Sequence, residues 1–208
     1  MKPTKTKSQE RELSAEKTTA ILAGAMQEFL KQGYAATTMD KVAAAAGVSK
    51  ATVYSHFQDK EALFKALIQK MAKEKCLAFY NNEHTQVLQG KPDIVLRNLA
   101  NNMLDSTSRD QQFLAFVRLV IGESGRFPEL ARMFVQSFDR SGRELLTQYL
   151  SSCSDLKLPD PEATAYLFIG SLVNFLIHQE IMHGKHVLSM ERERLINSLI
   201  NLITVKIS

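Results

Sequence analysis

Apolar side chains recur every third or fourth residue along nearly all of this 208-residue chain, and no stretch sustains the period-two alternation of a strand. That periodicity restricts the fold to packed amphipathic helices, about nine of them, an all-α protein. The helix ends mark themselves. A stripe of Ala20, Ile21, Ala25, Phe29 and Leu30 runs through 14–31 and meets Gly33, where a left-handed residue can relieve the last carbonyls. Thr38, Ser49 and Asp59 stand as N-caps ahead of helices predicted over 39–46, to about 57, and over 60–80. Further amphipathic stretches follow over 93–108, 110–122, 128–152, 161–183 and 190–206. Pro92, Pro128 and Pro161 fall at helix starts, the last behind a capping Asp160, and Gly142 suggests a kink in the 128–152 stretch.

Composition removes several classes. A 45% hydrophobic chain has ample material for a core. Its two cysteines, Cys76 and Cys153, are far apart, which excludes a disulfide scaffold and suits a reducing compartment. The lysine-dotted start has no apolar run of a signal peptide. The greasiest segment, 166–177, is too short for a span and carries Gly170, Ser171 and Asn174, so a soluble cytoplasmic protein is expected, with no membrane partner. No phosphate loop, G-x-S-x-G, H-E-x-x-H or paired-carboxylate helix is present, so no enzyme and no cofactor are expected. His178, His183 and His186 with Cys153 lack the spacing of a metal site; surface histidines at a helix end are the plainer reading, and no metal is expected.

Charge supplies a hint of the partner. The net charge is +4, and its location matters more than its size. Residues 1–60 hold nine Lys or Arg against six Asp or Glu, whereas the remaining 148 hold 17 against 16. Within the basic part, two short helices are separated by little more than Gly47, the spacing of a helix-turn-helix. A small alanine-rich hairpin buried in a core is the competing reading of that spacing alone. Turning the second helix by about 100° per residue points Val53 and Phe57 inward together. Ala51, Thr52 and Ser55 lie opposite, flanked by Lys50 and Tyr54 on one side and His56 on the other. Short outward residues let a backbone approach base edges, while longer donors reach phosphates. No acidic residue lies between Lys41 and Gln58.

The run Ile21-Leu22-Ala23, Phe29, Gly33-Tyr34, Thr37-Thr38-Met39, Ala43, Ala46-Gly47-Val48-Ser49, Val53-Tyr54, His56-Phe57, Lys60-Glu61, Leu63-Phe64 resembles the N-terminal domain of TetR-family regulators. The resemblance implies a flexible basic tail over 1–12, a DNA-binding domain over 13–60, and an effector-binding and dimerisation domain over 61–208. It implies that Thr37 and Thr38 touch the DNA backbone. Lys50, Ala51, Thr52, Ser55 and His56 would face the major groove, with His56 a backbone contact or a packing residue, and Tyr54 and Lys60 would hold phosphates. Lys2, Lys5 and Lys7 would add non-specific attraction to phosphate.

The rest of the chain supports a dimer on its own terms. Residues 166–177 form a helix apolar nearly all round, which must be covered on several sides. With the leucine and isoleucine face of the last helix, it predicts a twofold four-helix interface using Phe168, Leu172, Phe175, Leu176, Leu195, Leu199 and Leu202. A central buried helix in a monomer is the alternative. Candidate pocket residues for a small apolar effector are Phe79, Met103, Phe113, Phe116, Val117, Phe134, Phe138, Tyr166 and Asn174, all equally readable as core. Residues 118–131 resemble the C-terminal domain of the AefR-like branch of the family, and Arg118 and Glu123 are expected to pair. The mechanism implied is a repressor that leaves a pseudo-palindromic operator when an effector changes the pose of the 60–80 helix. Two rivals keep the fold: an adaptor acting through a protein partner with no small effector, and redox sensing at Cys76 or Cys153.

Overall fold

The structure, a computed structural model, describes residues 7–79 and 88–204. Among the described residues are nine α-helices: α1 Lys7–Ala36, α2 Met39–Ala45, α3 Lys50–His56, α4 Lys60–Phe79, α5 Pro92–Ser108, α6 Gln111–Glu123, α7 Pro128–Ser152, α8 Pro161–Leu176 and α9 Arg192–Thr204. The predicted caps form. Thr38 Oγ1 accepts from the Lys41 N–H, Ser49 Oγ from Thr52 (3.1 Å), Asp59 Oδ1 from Ala62 (2.7 Å) and Asp160 Oδ1 from Ala163 (2.9 Å).

Three expectations are corrected. The segment 7–12, expected as tail, is helical, because nothing between Lys7 and Gly24 breaks the run of good helix formers; Lys2 and Lys5 lie outside the described residues. α7 runs through Gly142 without a break, since a single glycine costs a helix only about 1 kcal/mol. α8 ends at Leu176 and continues as a π turn over Ile177–Ile181 and, after His183 at φ 55°, a 3-10 turn over Gly184–His186. The Arg118 guanidinium donates to the carbonyls of Glu180 (2.6 Å) and Ile181 (2.9 Å), satisfying backbone that the π turn frees.

The chain divides into two compact units. The first holds the residues up to Lys70 together with Leu119–Met133; the second holds Met71–Arg118 and Phe134–Ser208. This division falls elsewhere than the boundary expected after Lys60. The physical reason is packing: Leu63, Phe64, Leu67 and Ile68 of α4 are buried, and Phe127 meets Tyr34 edge to face at 4.9 Å.

In the first unit α1 and α2 touch closely at Gly24. A Cβ there would meet the Ala46 backbone nitrogen at 2.8 Å and its Cβ at 3.0 Å. In the second unit a core of Leu96, Leu104, Leu146, Phe168, Leu172 and Ile196 gathers α5, α7, α8 and α9. Arg192 bridges α9 to α5 through Asp105 (2.6 Å) and Asn101 (2.6 Å), which holds the Asp105 carboxyl below the usual range. Gly24→Ala is expected to destabilise the first unit by about 1–3 kcal/mol, because helix backbone cannot yield. Thermal unfolding would read it, and an unchanged midpoint would refute the close approach.

Candidate nucleic-acid interface

The turn between α2 and α3 is made by Gly47 at φ 65°, with the Val48 N–H bonded to the Ala43 carbonyl at 3.0 Å. Val53 is fully buried and Phe57 nearly so, which turns the opposite face of α3 outward. Lys50, Ala51, Tyr54 and Ser55 are exposed; Thr52 and His56 are half-buried. The short side chains are pinned to the helix: Ser55 Oγ donates to the Thr52 carbonyl (2.7 Å), and Thr52 Oγ1 and Ser49 Oγ share a hydrogen bond (2.8 Å). Tyr54 stands exposed at the edge of the row, with the Lys50 ammonium 5.9 Å from the centre of its ring.

Three predicted contact residues are otherwise engaged. Thr37 is 1% exposed, and its hydroxyl donates to the carbonyls of Gly33 (2.8 Å) and Glu28 (3.1 Å), so it closes the end of α1 rather than offering a DNA contact. Lys60 Nζ donates to the carbonyls of Tyr34 (2.7 Å) and Ala35 (3.2 Å) and sits 4.4 Å above the Tyr34 ring. Burial lowers its pKa, opposed by the charge of Glu123. His56 Nδ1 is 3.1 Å from Thr18 Oγ1, tying α3 to α1. Thr38 is exposed while its hydroxyl caps α2.

Sequence reasoning also missed Asp40. Its carboxylate lies 2.8 Å from Lys50 Nζ, partly cancelling the one cation on the outward row. The signal was the residue just before the acid-free stretch, which begins at Lys41. Tyr34 was missed as well. Its N–H donates to Glu123 Oε1 (3.1 Å), and its ring packs among Phe29, Phe64 and Phe127. Burial, with the charges of Glu61, Glu129 and Asp59, pushes its phenol up to about 12. Glu123 therefore does not pair with Arg118 as expected.

In the second unit the pocket candidates scatter. Phe113, Phe134 and Phe138 come together, with ring centroids 5.3 Å (113–138) and 4.4 Å (134–138) apart. Phe116 is sealed in the core, Val117 is half-buried, and Met103 packs against the α5–α7–α8–α9 core. Tyr166 is 61% exposed with the Arg143 guanidinium 3.8 Å from its ring, and Asn174 is exposed, so both leave the pocket set. The side chain of Phe79 lies outside the described residues. Lys75 was missed; it follows Ile68 and Met71 on the buried stripe of α4 and pairs with Asp110 at 2.8 Å.

The interface set divides too. Phe168, Leu172 and Leu176 are buried in their own core and present no surface to a partner; Phe175, Leu195 and Leu199 are half-buried against it. Leu202 is 80% exposed, and Leu167 and Val173 join it as outward apolar residues. Among the described residues no three His, Cys, Asp or Glu side chains gather to hold a metal, and no helix is long and apolar enough to cross a membrane. Burial pushes the Cys76 thiol up, away from the reactive thiolate.

A family profile described as bacterial regulatory proteins of the tetR family matches residues 21–67, and one described as the C-terminal domain of AefR-like transcriptional repressors matches residues 94–204. The chain belongs to the TetR family. The uncharacterized HTH-type transcriptional regulator YvkB of Bacillus subtilis (strain 168) is 25% identical over 182 residues, covering 85% of this chain and 89% of its own. The flavonoid-responsive regulator FrrA is 31% identical, with a TM-score of 0.69 over 89% of this chain and 92% of its own. AibR, solved with isovaleryl coenzyme A and operator DNA, shares the fold at 21% identity, a TM-score of 0.60, and 90% and 98% coverage.

This TetR-family chain is thus a DNA-binding transcriptional regulator with an AefR-like C-terminal domain, in a family of regulators rather than enzymes. The Asp40–Lys50 pair offers a test of that role at α3. Asp40→Asn is expected to free the Lys50 ammonium and remove a charge that repels phosphate, raising non-specific DNA affinity about threefold to tenfold at low salt. Fluorescence anisotropy on random duplex DNA reads it, and unchanged affinity would show that the pair does not face DNA.

Proposed function

We propose that the chain is a repressor that binds a pseudo-palindromic operator as a homodimer and is released when a small apolar effector occupies the second unit. The observation that carries the DNA half is the outward row of α3: short, pinned side chains at Ala51, Thr52 and Ser55, bordered by Lys50 and Tyr54. Such a row lets the helix backbone sit near base edges while the flanking residues reach phosphates. In this reading the DNA-binding domain is 13–60 and the rest serves effector binding and dimerisation.

The twofold partner is supported by the outward apolar residues Leu167 and Val173 of α8 and Leu202 of α9. A dimer sets two copies of α3 about 34–36 Å apart, one DNA turn, so two half-sites multiply discrimination. The AefR-like repressor match supports the repressor mode, and FrrA and AibR, described with a flavonoid response and with isovaleryl coenzyme A, support a small effector. An effector releases DNA only by binding one pose of the protein better than another. In this reading the protein acts at DNA in the cytoplasm.

Selection from a random duplex library with the full-length chain, followed by anisotropy on the enriched sequence, tests this. Tyr54→Ala is expected to weaken binding to every sequence, and Thr52→Ala to relax selectivity at a single base pair, by about 1–3 kcal/mol. Recovery of no consensus, or of one without twofold symmetry, would overturn the operator reading. The double variant Leu167→Glu, Leu202→Glu should sediment as a monomer with its helix content intact. If it stays dimeric, the interface lies elsewhere.

A further inference from the structure

Lys75 carries the second unit's least expected chemistry. Its position on α4 belongs to an apolar stripe, and its side chain is only 8% exposed. Nζ donates to the Ser106 carbonyl (2.8 Å), pairs with Asp110 Oδ2 (2.8 Å) and lies 4.6 Å from the centre of the Phe113 ring. Burying an ammonium is costly, and buried ion pairs can often be exchanged for apolar residues without loss of stability, so the fold alone does not require a lysine here.

Three further observations bear on what the cation is for. Asp110, its anionic partner among the described residues, is 40% exposed, so the pair meets solvent mainly on the carboxylate side. The ring under the ammonium continues outward, from Phe113 to Phe138 at 5.3 Å and on to Phe134 stacked at 4.4 Å, the last two rings half-buried. Beside Ser106, the Thr107 hydroxyl is buried without a hydrogen-bond partner among the described residues, in a residue 4% exposed whose carbonyl accepts from the Asp110 N–H at 3.1 Å. A buried cation and a partly open wall of rings match a molecule with an acid at one end and an aromatic body.

We propose that Lys75 recognises an anionic aromatic effector, whose carboxylate takes the place of Asp110 on the ammonium while its ring system lies against Phe134 and Phe138. This rests on the effector-responsive regulator reading and replaces its simply apolar effector with an aromatic body that carries one carboxylate. Asp110 is the internal competitor. Burial works against its carboxylate, but hydrogen bonds from Lys75 and from the N–H groups of Phe113 and Gln112 outweigh it and hold the carboxyl below its usual range, so it is ionised at neutral pH. Exchanging one carboxylate for another keeps the charge at Lys75 balanced. What changes is the tether: with Asp110 displaced, the α5–α6 junction is no longer tied to α4, while Asp110 Oδ1 can still accept the Phe113 N–H (2.9 Å) that opens α6.

The test uses the full-length protein and three acids, benzoate, cinnamate and 4-phenylbenzoate, each against its own primary amide, by calorimetry and thermal shift. The wild-type protein is expected to bind at least one acid tenfold or more tightly than its amide. Lys75→Met should abolish that preference, and Asp110→Asn, which keeps the cap but removes the competing charge, should tighten acid binding about tenfold. A gain of affinity cannot come from misfolding. The proposal is overturned if no acid outbinds its amide in either the wild type or Asp110→Asn, or if the preference survives Lys75→Met. Operator binding is measured separately on the same proteins. Absence of any acid preference in both the wild type and Asp110→Asn, with operator binding intact, overturns this inference alone, and a chain that selects no operator overturns the regulator reading.

Discussion

The C-terminus of α1 is where the first unit is tied together. Gly33 turns the chain at φ 81°, leaving carbonyls that no helical partner can reach. Lys60 takes those of Tyr34 and Ala35, Lys41 takes that of Ala36, and the Thr37 hydroxyl takes those of Gly33 and Glu28. Two ammonium groups at a helix C-terminus also face the favourable end of its dipole. From another part of the chain, Glu123 accepts the Tyr34 N–H, and a Cβ at Gly33 would stand 3.0 Å from the same oxygen. Because only Thr37 and Thr38 separate α1 from α2, the direction of α2, and through the Gly47 turn that of α3, depends on this junction.

That arrangement changes the meaning of several basic residues. A lysine at the edge of a DNA-binding helix pair reads naturally as a phosphate contact, yet Lys60 is spent on backbone. Lys50 is exposed but held by Asp40. The outward row of α3 therefore presents short side chains, hydroxyls and a phenol more than free charge, in a chain whose net charge is only +4. On the proposed reading, such a surface would discriminate among base edges without strong non-specific attraction.

The second unit shows how one helix can serve two faces. α8 is apolar almost all round; Phe168, Leu172 and Leu176, spaced by four residues, enter the core with α5, α7 and α9, while Leu167 and Val173 remain outside. Periodicity showed that the helix must be covered on several sides but gave no means of telling which side its own core would take. The same holds for the aromatic residues. Phe113, Phe134 and Phe138 meet one another, whereas Phe116 is core and Tyr166 turns outward against Arg143.

What the sequence determined by itself is local. The spacing of apolar residues specified about nine helices, Thr38, Ser49, Asp59 and Asp160 specified where four of them begin, and a rotation of about 100° per residue separated the inner and outer faces of α3. Each of these acts within one or two helical turns, so neighbouring residues suffice to state it. Only the tertiary structure decided that Thr37 and Lys60 close a helix, that Asp40 holds Lys50, that Glu123 binds Tyr34 across 89 residues, and that Lys75 meets Asp110 above a ring. An ammonium or carboxylate takes whichever partner the packed helices bring within reach. That partner is set by how helix faces pack, which no count of residues along the chain contains.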